Sequence, residues 1–102
     1  MITSQLLHPA SIVVVGASNN VHKPGGAILK NLLSGGYAGE LRAVNPKETE
    51  VQGLAAFADV KELPDTDLAI LAIPAVLCPD VVEVLAAEKQ VKAFIILWRG
   101  NS

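Results

Sequence analysis

Short apolar runs, each cut off by a turn-forming residue, alternate with segments of helical periodicity along this chain of 102 residues. The first run is Ser11–Val15, which ends abruptly at Gly16. Runs of this kind are typical of strands that are buried on both faces of a sheet. The same criterion predicts three further strands, at Leu41–Val44, Leu68–Ile73 and Phe94–Leu97.

The segments between these strands have helical or turn character. Gly25 and Gly26 introduce a helix that Gly35-Gly36 should end. The remaining predicted segments are a small extended excursion from Val51, one helical turn at Asp59–Leu63, and a helix from Ala75 to Glu88 that holds Pro79 in its first turn. This order predicts an α/β fold, a Rossmann-like doubly wound parallel sheet in three layers.

Composition and charge fit one soluble domain over residues 1–102. About half of the residues are apolar (51%), which allows a hydrophobic core, and the net charge is −2 with no basic stripe. We therefore expect no nucleic-acid partner and no membrane partner. A lone cysteine, Cys78, and an N-terminus unlike a signal peptide favour a cytoplasmic location.

The chain stops soon after its fourth predicted strand, without the elements that usually close a Rossmann domain. We interpret it as a fragment of a larger multidomain chain. A fourth strand at the edge of the sheet would be unprotected, so we also expect partial dimerisation at high concentration.

The loop after the first strand is the strongest functional signal. Gly16 lets a phosphate approach the backbone, and the following helix offers unpaired N–H groups at its positive end. Ser18, Asn19 and Asn20 add short polar groups, and Lys23 adds a cation. The loop lacks the G-x-G-x-x-G dinucleotide fingerprint and the P-loop pattern, so an ordinary steric turn is the alternative to a phosphate site.

The loops after the second and third strands leave more than one interpretation open. Lys47 could attract the 3′-phosphate of coenzyme A or the 2′-phosphate of NADP, or it could be a solvated surface lysine. Pro74 could form an apolar wall of a ligand cleft, or simply a rigid turn. Cys78 is interpreted as a small apolar side chain and His22 as an exposed loop residue. We find no metal-ligand spacing and no catalytic constellation.

Four segments together resemble one family. LLHPASIVVVGAS, KPGGAILKNLL, AVNPK and LAILAIPA are similar, in order and spacing, to the N-terminal coenzyme-A-binding domain of NDP-forming acyl-CoA synthetases, relatives of the succinyl-CoA synthetase α subunit. The similarity covers the chain from about Leu6 to Gly100. It implies that the chain binds coenzyme A or acyl-CoA and works with the remaining domains or subunits of a synthetase.

The resemblance also implies roles for individual residues. Residues from Ser18 to Val21 would contact the phosphates and ribose of coenzyme A, and Lys47 would lie near its phosphorylated end. Pro74 would form a wall of the cleft, and Leu97 with Trp98 would help hold the pantetheine arm. Family members usually carry small residues where this chain has Trp98-Arg99, so the sequence departs from the pattern there.

The parent protein would interconvert acyl-CoA, phosphate and ADP with a carboxylate, coenzyme A and ATP. The histidine that relays the phosphoryl group in such enzymes lies on a separate domain, so this chain alone would bind without catalysing. Three alternatives remain open: a regulatory domain fused to a protein lysine acetyltransferase, an NAD(P)-binding domain of an oxidoreductase, and a stand-alone binding or redox-sensing module.

Overall fold

Six strands form one sheet in the computed structural model, which describes residues 9–97. The strands are β1 (Ser11–Val15), β2 (Glu40–Val44), β3 (Glu50–Val51), β4 (Leu54–Phe57), β5 (Leu68–Leu71) and β6 (Ala93–Ile96). Their order across the sheet is β3-β4-β2-β1-β5-β6. All neighbouring pairs are parallel except β3 and β4. Because β1 is central and the chain builds outward from it in both directions, the sheet is doubly wound.

Helices cover both faces of this sheet. The two α-helices are α1 (Pro24–Ser34) and α2 (Cys78–Glu88), and single 3-10 turns lie at Val60–Glu62 and Ala75–Leu77. Every residue of β1 is buried, and alternate side chains point to opposite faces. One core cluster joins Ile12 and Val14 to Leu29 of α1.

The other cluster joins Val13 and Val15 to Leu85 of α2. Each face of β1 therefore packs against a different helix. The predicted three-layer, Rossmann-like α/β architecture is confirmed.

The helix that the sequence predicted over Ala75–Glu88 is interrupted. An α-helix starting at Ala75 would need the N–H of residue 79 to donate to the Ala75 carbonyl, and proline has no N–H. The Cys78 N–H donates to the Ala75 carbonyl instead, which makes a 3-10 turn. The α-helix begins only at Cys78, with Pro79 in its first turn as predicted.

Strand bounds also differ from the prediction in places. β5 ends at Leu71, two residues before the predicted end at Ile73, and β6 begins and ends one residue earlier than predicted. The largest difference is at Val51–Gly53, where the sequence indicated only an extended excursion. These residues belong to a β-hairpin formed by β3 and β4, and β4 pairs with β2 at the side of the sheet.

The hairpin turns on two residues with positive φ, Gln52 (+50°) and Gly53 (+89°). Positive φ at both central residues is the signature of a type I′ turn, whose twist suits a two-residue hairpin. The hairpin carries the tip of its turn towards the loop that follows β1, where it contacts Asn19. This contact supports the site described next.

Candidate functional site

A cleft of about 600 Å³ lies at the carboxyl edge of the sheet, where the loops after β1 and β5 separate. Ligands of open α/β sheets bind at this position, because the crossovers on either side run to opposite faces. Five of the residues predicted from the sequence line the cleft: Gly16, Ser18, Lys23, Pro74 and Leu97.

Backbone meets backbone at the floor of the cleft. Gly16 has a φ of +88°, and a Cβ there would collide with the carbonyl oxygen of Ala72 after β5. A Cβ on Gly25, in the first turn of α1, would collide in turn with the carbonyl oxygen of Gly16. Only glycine at both positions lets the end of β1, the exit of β5 and the start of α1 come together.

The start of α1 brings N–H donors to this part of the site: Gly25 lines the cleft, and Gly26 follows it in the chain. Pro24 stands at the beginning of the helix, and no side chain caps it. Within residues 9–97, neither the N–H of Gly25 nor that of Gly26 donates to a backbone or side-chain acceptor. These N–H groups and the positive end of the helix dipole favour an anion.

The charge of the residues that line the cleft is also positive. Lys23 is exposed and lines the cleft, and none of the lining residues in the described part of the chain is acidic. Ser18 also lines the cleft, and its Oγ accepts a hydrogen bond of 2.9 Å from the Asn20 N–H. That bond bends the loop back on itself, as serine side chains commonly do in turns.

Asn19, Asn20 and Val21 lie in the same loop but outside the lining of the cleft. The Asn20 Oδ1 accepts from the His22 N–H at 2.9 Å, so this side chain shapes the loop. Both polar atoms of the Asn19 side chain bind the β3–β4 hairpin. Contacts of these three residues with a ligand remain a prediction.

Asn45 is a lining residue that the sequence reasoning passed over in favour of its neighbour Lys47. Its Nδ2 donates to the Ala17 carbonyl at 2.9 Å, and its Oδ1 accepts from the N–H groups of Lys47 (2.7 Å) and Glu48 (3.1 Å). One side chain therefore fixes the loop after β2 to the loop after β1. An Asn-Pro pair directly after a buried strand was the available signal.

Lys47 itself is exposed and does not line the cleft. It follows Asn45 and Pro46, which both line it, so the Lys47 backbone lies at the rim. Its ammonium group sits on a flexible four-carbon stem, and contact between this group and a ligand remains a prediction.

The opposite wall is apolar. Ala72, Ile73 and Pro74 follow β5, and Leu97 follows β6, with its N–H donating to the Leu71 carbonyl at 2.9 Å. Cys78 is buried behind this wall and its Sγ lies 3.7 Å from the Pro74 carbonyl oxygen, which fits the small apolar side chain that was predicted. Trp98, the last predicted contact, lies outside the described residues.

The described residues hold neither a metal-ligand cluster nor a membrane-spanning helix. No group of three or more histidine, cysteine, aspartate or glutamate side chains within 9–97 could hold a metal ion. No helix in that range is long and apolar enough to cross a membrane.

Comparison with known proteins agrees with the geometry. A family model described as "CoA binding domain" matches residues 10–99. The ADP-forming acetate–CoA ligase II of Archaeoglobus fulgidus is 37% identical over 98 residues, which cover 95% of this chain and 14% of the ligase. The alpha subunit of the ADP-forming acetate–CoA ligase I of Pyrococcus furiosus is 39% identical over 100 residues, which cover 93% of this chain and 21% of that subunit.

A solved structure has the same fold. The dinucleotide forming acetyl-coenzyme A synthetase 1 of Ca. Korarchaeum cryptofilum, in complex with phosphate and ADP, superposes with a TM-score of 0.86 at 34% identity. The match covers 95% of this chain and 21% of the synthetase. The chain thus spans between about a seventh and a fifth of the length of these relatives.

Proposed function

The chain belongs to the CoA binding domain family, and from this premise we propose that the cleft between the β1 and β5 loops holds coenzyme A with its diphosphate over the start of α1. The observation that carries the proposal is the meeting of Gly16, Gly25 and Ala72. Beside this meeting point, the cleft is lined by Gly25, whose N–H makes no hydrogen bond within residues 9–97 and could donate to a phosphate.

The residues after β2 support coenzyme A over NAD. A site for NAD carries an aspartate or glutamate here, which binds the ribose hydroxyls. This chain carries Asn45, and Lys47 follows two residues later. In our proposal, Ser18 to Val21 border the ribose and the phosphates, and the Lys47 ammonium reaches the 3′-phosphate from the rim.

The pantetheine arm would follow the apolar wall. Pro74 and Leu97 present carbon surface to the cleft and are joined to the same sheet edge. The arm is uncharged and ends in a thiol, so it fits this apolar wall better than it fits the loop on the other side, which carries Lys23. Contact between Trp98 and the arm stays a prediction of the resemblance, because Trp98 lies outside the described residues.

We further propose that the chain acts as one domain of an ADP-forming acyl-CoA ligase. The relatives named above are CoA ligases or synthetases, and each is several times longer than the part that matches. In such a ligase, acyl-CoA and phosphate give an acyl phosphate and free coenzyme A, and the phosphoryl group then passes to ADP. The cleft holds no nucleophile with an adjacent base within the described residues, so its part would be to bind and orient coenzyme A.

Calorimetric titration of the chain with coenzyme A, dephospho-coenzyme A, NAD and NADP tests the ligand. We expect coenzyme A to bind most tightly, and removal of its 3′-phosphate to weaken binding by about tenfold, because one charge-assisted contact is lost. The Lys47→Ala variant should bind coenzyme A more weakly by a similar factor and bind dephospho-coenzyme A with unchanged affinity. Lys23→Ala should weaken both.

Lys92→Ala is the matched control, because it removes the same charge at the opposite edge of the sheet, where the Lys92 N–H donates to the Asp67 carbonyl. Its affinity for coenzyme A should equal that of the unaltered chain. Preference for NADP would contradict the proposed ligand. Equal losses on Lys47→Ala and Lys92→Ala would show that net charge alone, and no contact at Lys47, governs affinity.

A further inference from the structure

Gln52, at the tip of the β3–β4 hairpin, holds an unusual position relative to the cleft loop. Its side-chain Nε2 donates to two carbonyl oxygens, that of Ser18 at 2.8 Å and that of Gly26 at 3.0 Å. Ser18 belongs to the loop after β1, and Gly26 belongs to the first turn of α1. One amide group therefore joins the two flanks of the segment that faces the cleft.

Asn19 completes the connection from the loop side. Its Oδ1 accepts from the Gln52 N–H at 2.7 Å, and its Nδ2 donates to the Glu50 carbonyl at 3.1 Å. The side-chain amide of Asn19 thus pairs with the hairpin as the peptide group of a neighbouring strand would. Together with the two bonds of the Gln52 side chain, these contacts fix the loop to the hairpin.

Gln52 combines an unfavourable backbone conformation with a side chain that is bonded to the loop. Its φ of +50° is left-handed, a region where glycine or asparagine costs less than glutamine. The side chain is half-buried against the loop. The two bonds of its amide offset part of this backbone cost.

These bonds determine which polar groups are left for a ligand. A carbonyl oxygen turned towards a phosphate would repel it, whereas N–H and hydroxyl groups attract it. The Ser18 and Gly26 carbonyl oxygens are directed to Gln52, while Ser18 and Gly25 line the cleft. A Cβ on Gly26 would collide with the Asn20 carbonyl oxygen, so that carbonyl also faces the helix.

We propose that Gln52 is a positioning residue for the anion site: its amide, anchored on the Gly26 carbonyl of α1, holds the Ser18 carbonyl away from the cleft, and so keeps the loop ready to accept a phosphate. This inference rests on the proposed binding of coenzyme A. Gln52 itself would not touch the ligand, because it acts from the far side of the loop.

A matched pair of glutamines makes the test sharp. Gln52 and Gln90 are the two residues other than glycine with positive φ among residues 9–97, at +50° and +61°. Gln90 is exposed at the end of α2, and its side chain makes no hydrogen bond within that range. Replacing either residue by asparagine or by glycine suits the left-handed backbone equally well.

The variants Gln52→Asn and Gln52→Gly should bind coenzyme A about tenfold more weakly than the unaltered chain, because the shortened or missing amide no longer spans both carbonyls. The variants Gln90→Asn and Gln90→Gly should bind with unchanged affinity. Hydrogen exchange of the backbone amides from Ser18 to Gly26, measured without ligand, should be faster in the Gln52 pair alone. Neither glycine variant is expected to unfold, because glycine relieves the strain at φ > 0.

Coenzyme A affinity within twofold of the unaltered chain for both Gln52 variants would overturn the proposal. If the unaltered chain binds no coenzyme A, the proposed function fails, and hydrogen exchange still decides the role of Gln52. Unchanged exchange across the loop would then reject it as a positioning residue. Faster exchange would support it for whichever anion the loop accepts, with inorganic pyrophosphate as the probe.

Discussion

Individual atomic contacts explain why positions 16 and 25 require glycine. Each lies where an added methyl group would meet a backbone carbonyl, and backbone cannot move aside as a flexible side chain can. Gly36 offers a contrast, because its φ is also positive (+76°) but nothing lies within 4 Å of an added Cβ. The cost of a side chain therefore differs in kind between these positions.

Gly25→Ala should lower the free energy of unfolding by about 1–3 kcal/mol through overpacking. It should also lower the affinity for coenzyme A, because it displaces the start of α1. Gly36→Ala is the comparison, with a cost of about 1 kcal/mol from backbone conformation alone and no effect on binding. Urea denaturation and calorimetry would measure both. Equal effects of the two substitutions on binding would contradict the close approach at Gly25.

Tyr37 gives the chain a pH dependence at the other edge of the sheet. Its hydroxyl donates to the Pro9 carbonyl at 2.7 Å. Partial burial raises the pKa of Tyr37 above its usual value of about 10, and the negative charge of Asp67 adds to this. The folded state thus holds the phenol proton more tightly than the unfolded state does.

The stabilisation from Tyr37 is fully present below the unfolded pKa and is lost as the pH rises through the folded one. We expect the free energy of unfolding to fall between about pH 9 and pH 11, and to fall less steeply in Tyr37→Phe. Tyr37 is the single tyrosine of the chain, so ultraviolet absorbance follows its titration directly. A phenol that titrates identically in folded chain and in urea would contradict this prediction.

Among the elements, the fully buried strands were predictable and the hairpin was not. β1 and β5 are continuous apolar runs because both of their faces are covered, and a turn residue follows each. β3 has only two residues, and β4 is the sequence LAAF, which has weak β propensity. Their pairing depends on the neighbouring β2, and such tertiary context leaves no local pattern in the chain.

At the site, too, the residues within a local pattern were predictable and those that depend on distant contacts were not. Gly16, Ser18 and Lys23 were predictable because they follow a strand and precede a helix in the way that phosphate loops do. The contribution of Gln52 was not, since it lies 34 residues from Ser18 and its contact exists only once the hairpin has folded. The predicted helix start at Ala75 is wrong because Pro79, the fifth residue from it, lacks the N–H that would donate to the Ala75 carbonyl; proline is tolerated only in the first turn.

For the molecule as a whole, β6 is the one strand within residues 9–97 that carries exposed large apolar side chains. Its side chains Ile95 and Ile96 point to opposite faces and are 40% and 53% exposed. Apolar residues on both faces are typical of a central strand in a parallel sheet. Within residues 9–97, however, β6 pairs only with β5 and leaves its other edge open.

We expect the chain to self-associate in part at high concentration through this strand, as an open apolar edge invites strand pairing. Ile96→Lys should suppress the association, since a lysine on an edge strand opposes it. Lys30→Ala, at an exposed position of α1 outside β6, serves as the neutral surface change. A monomer at every concentration in sedimentation velocity would contradict the prediction.

The direct encounter of backbone at Gly16, Gly25 and Ala72 has a consequence for how such a site can diversify. Two of these three residues are glycines, which offer only main chain, and main chain has the same chemistry for any residue type. Descendants of this chain could therefore exchange other loop side chains and keep the ability to bind, provided that the two glycines, the two lysines and the asparagines and hairpin that fix the loops are retained. Selection at this site would then preserve the conformation of the backbone, and substitutions at the remaining loop positions would be tolerated.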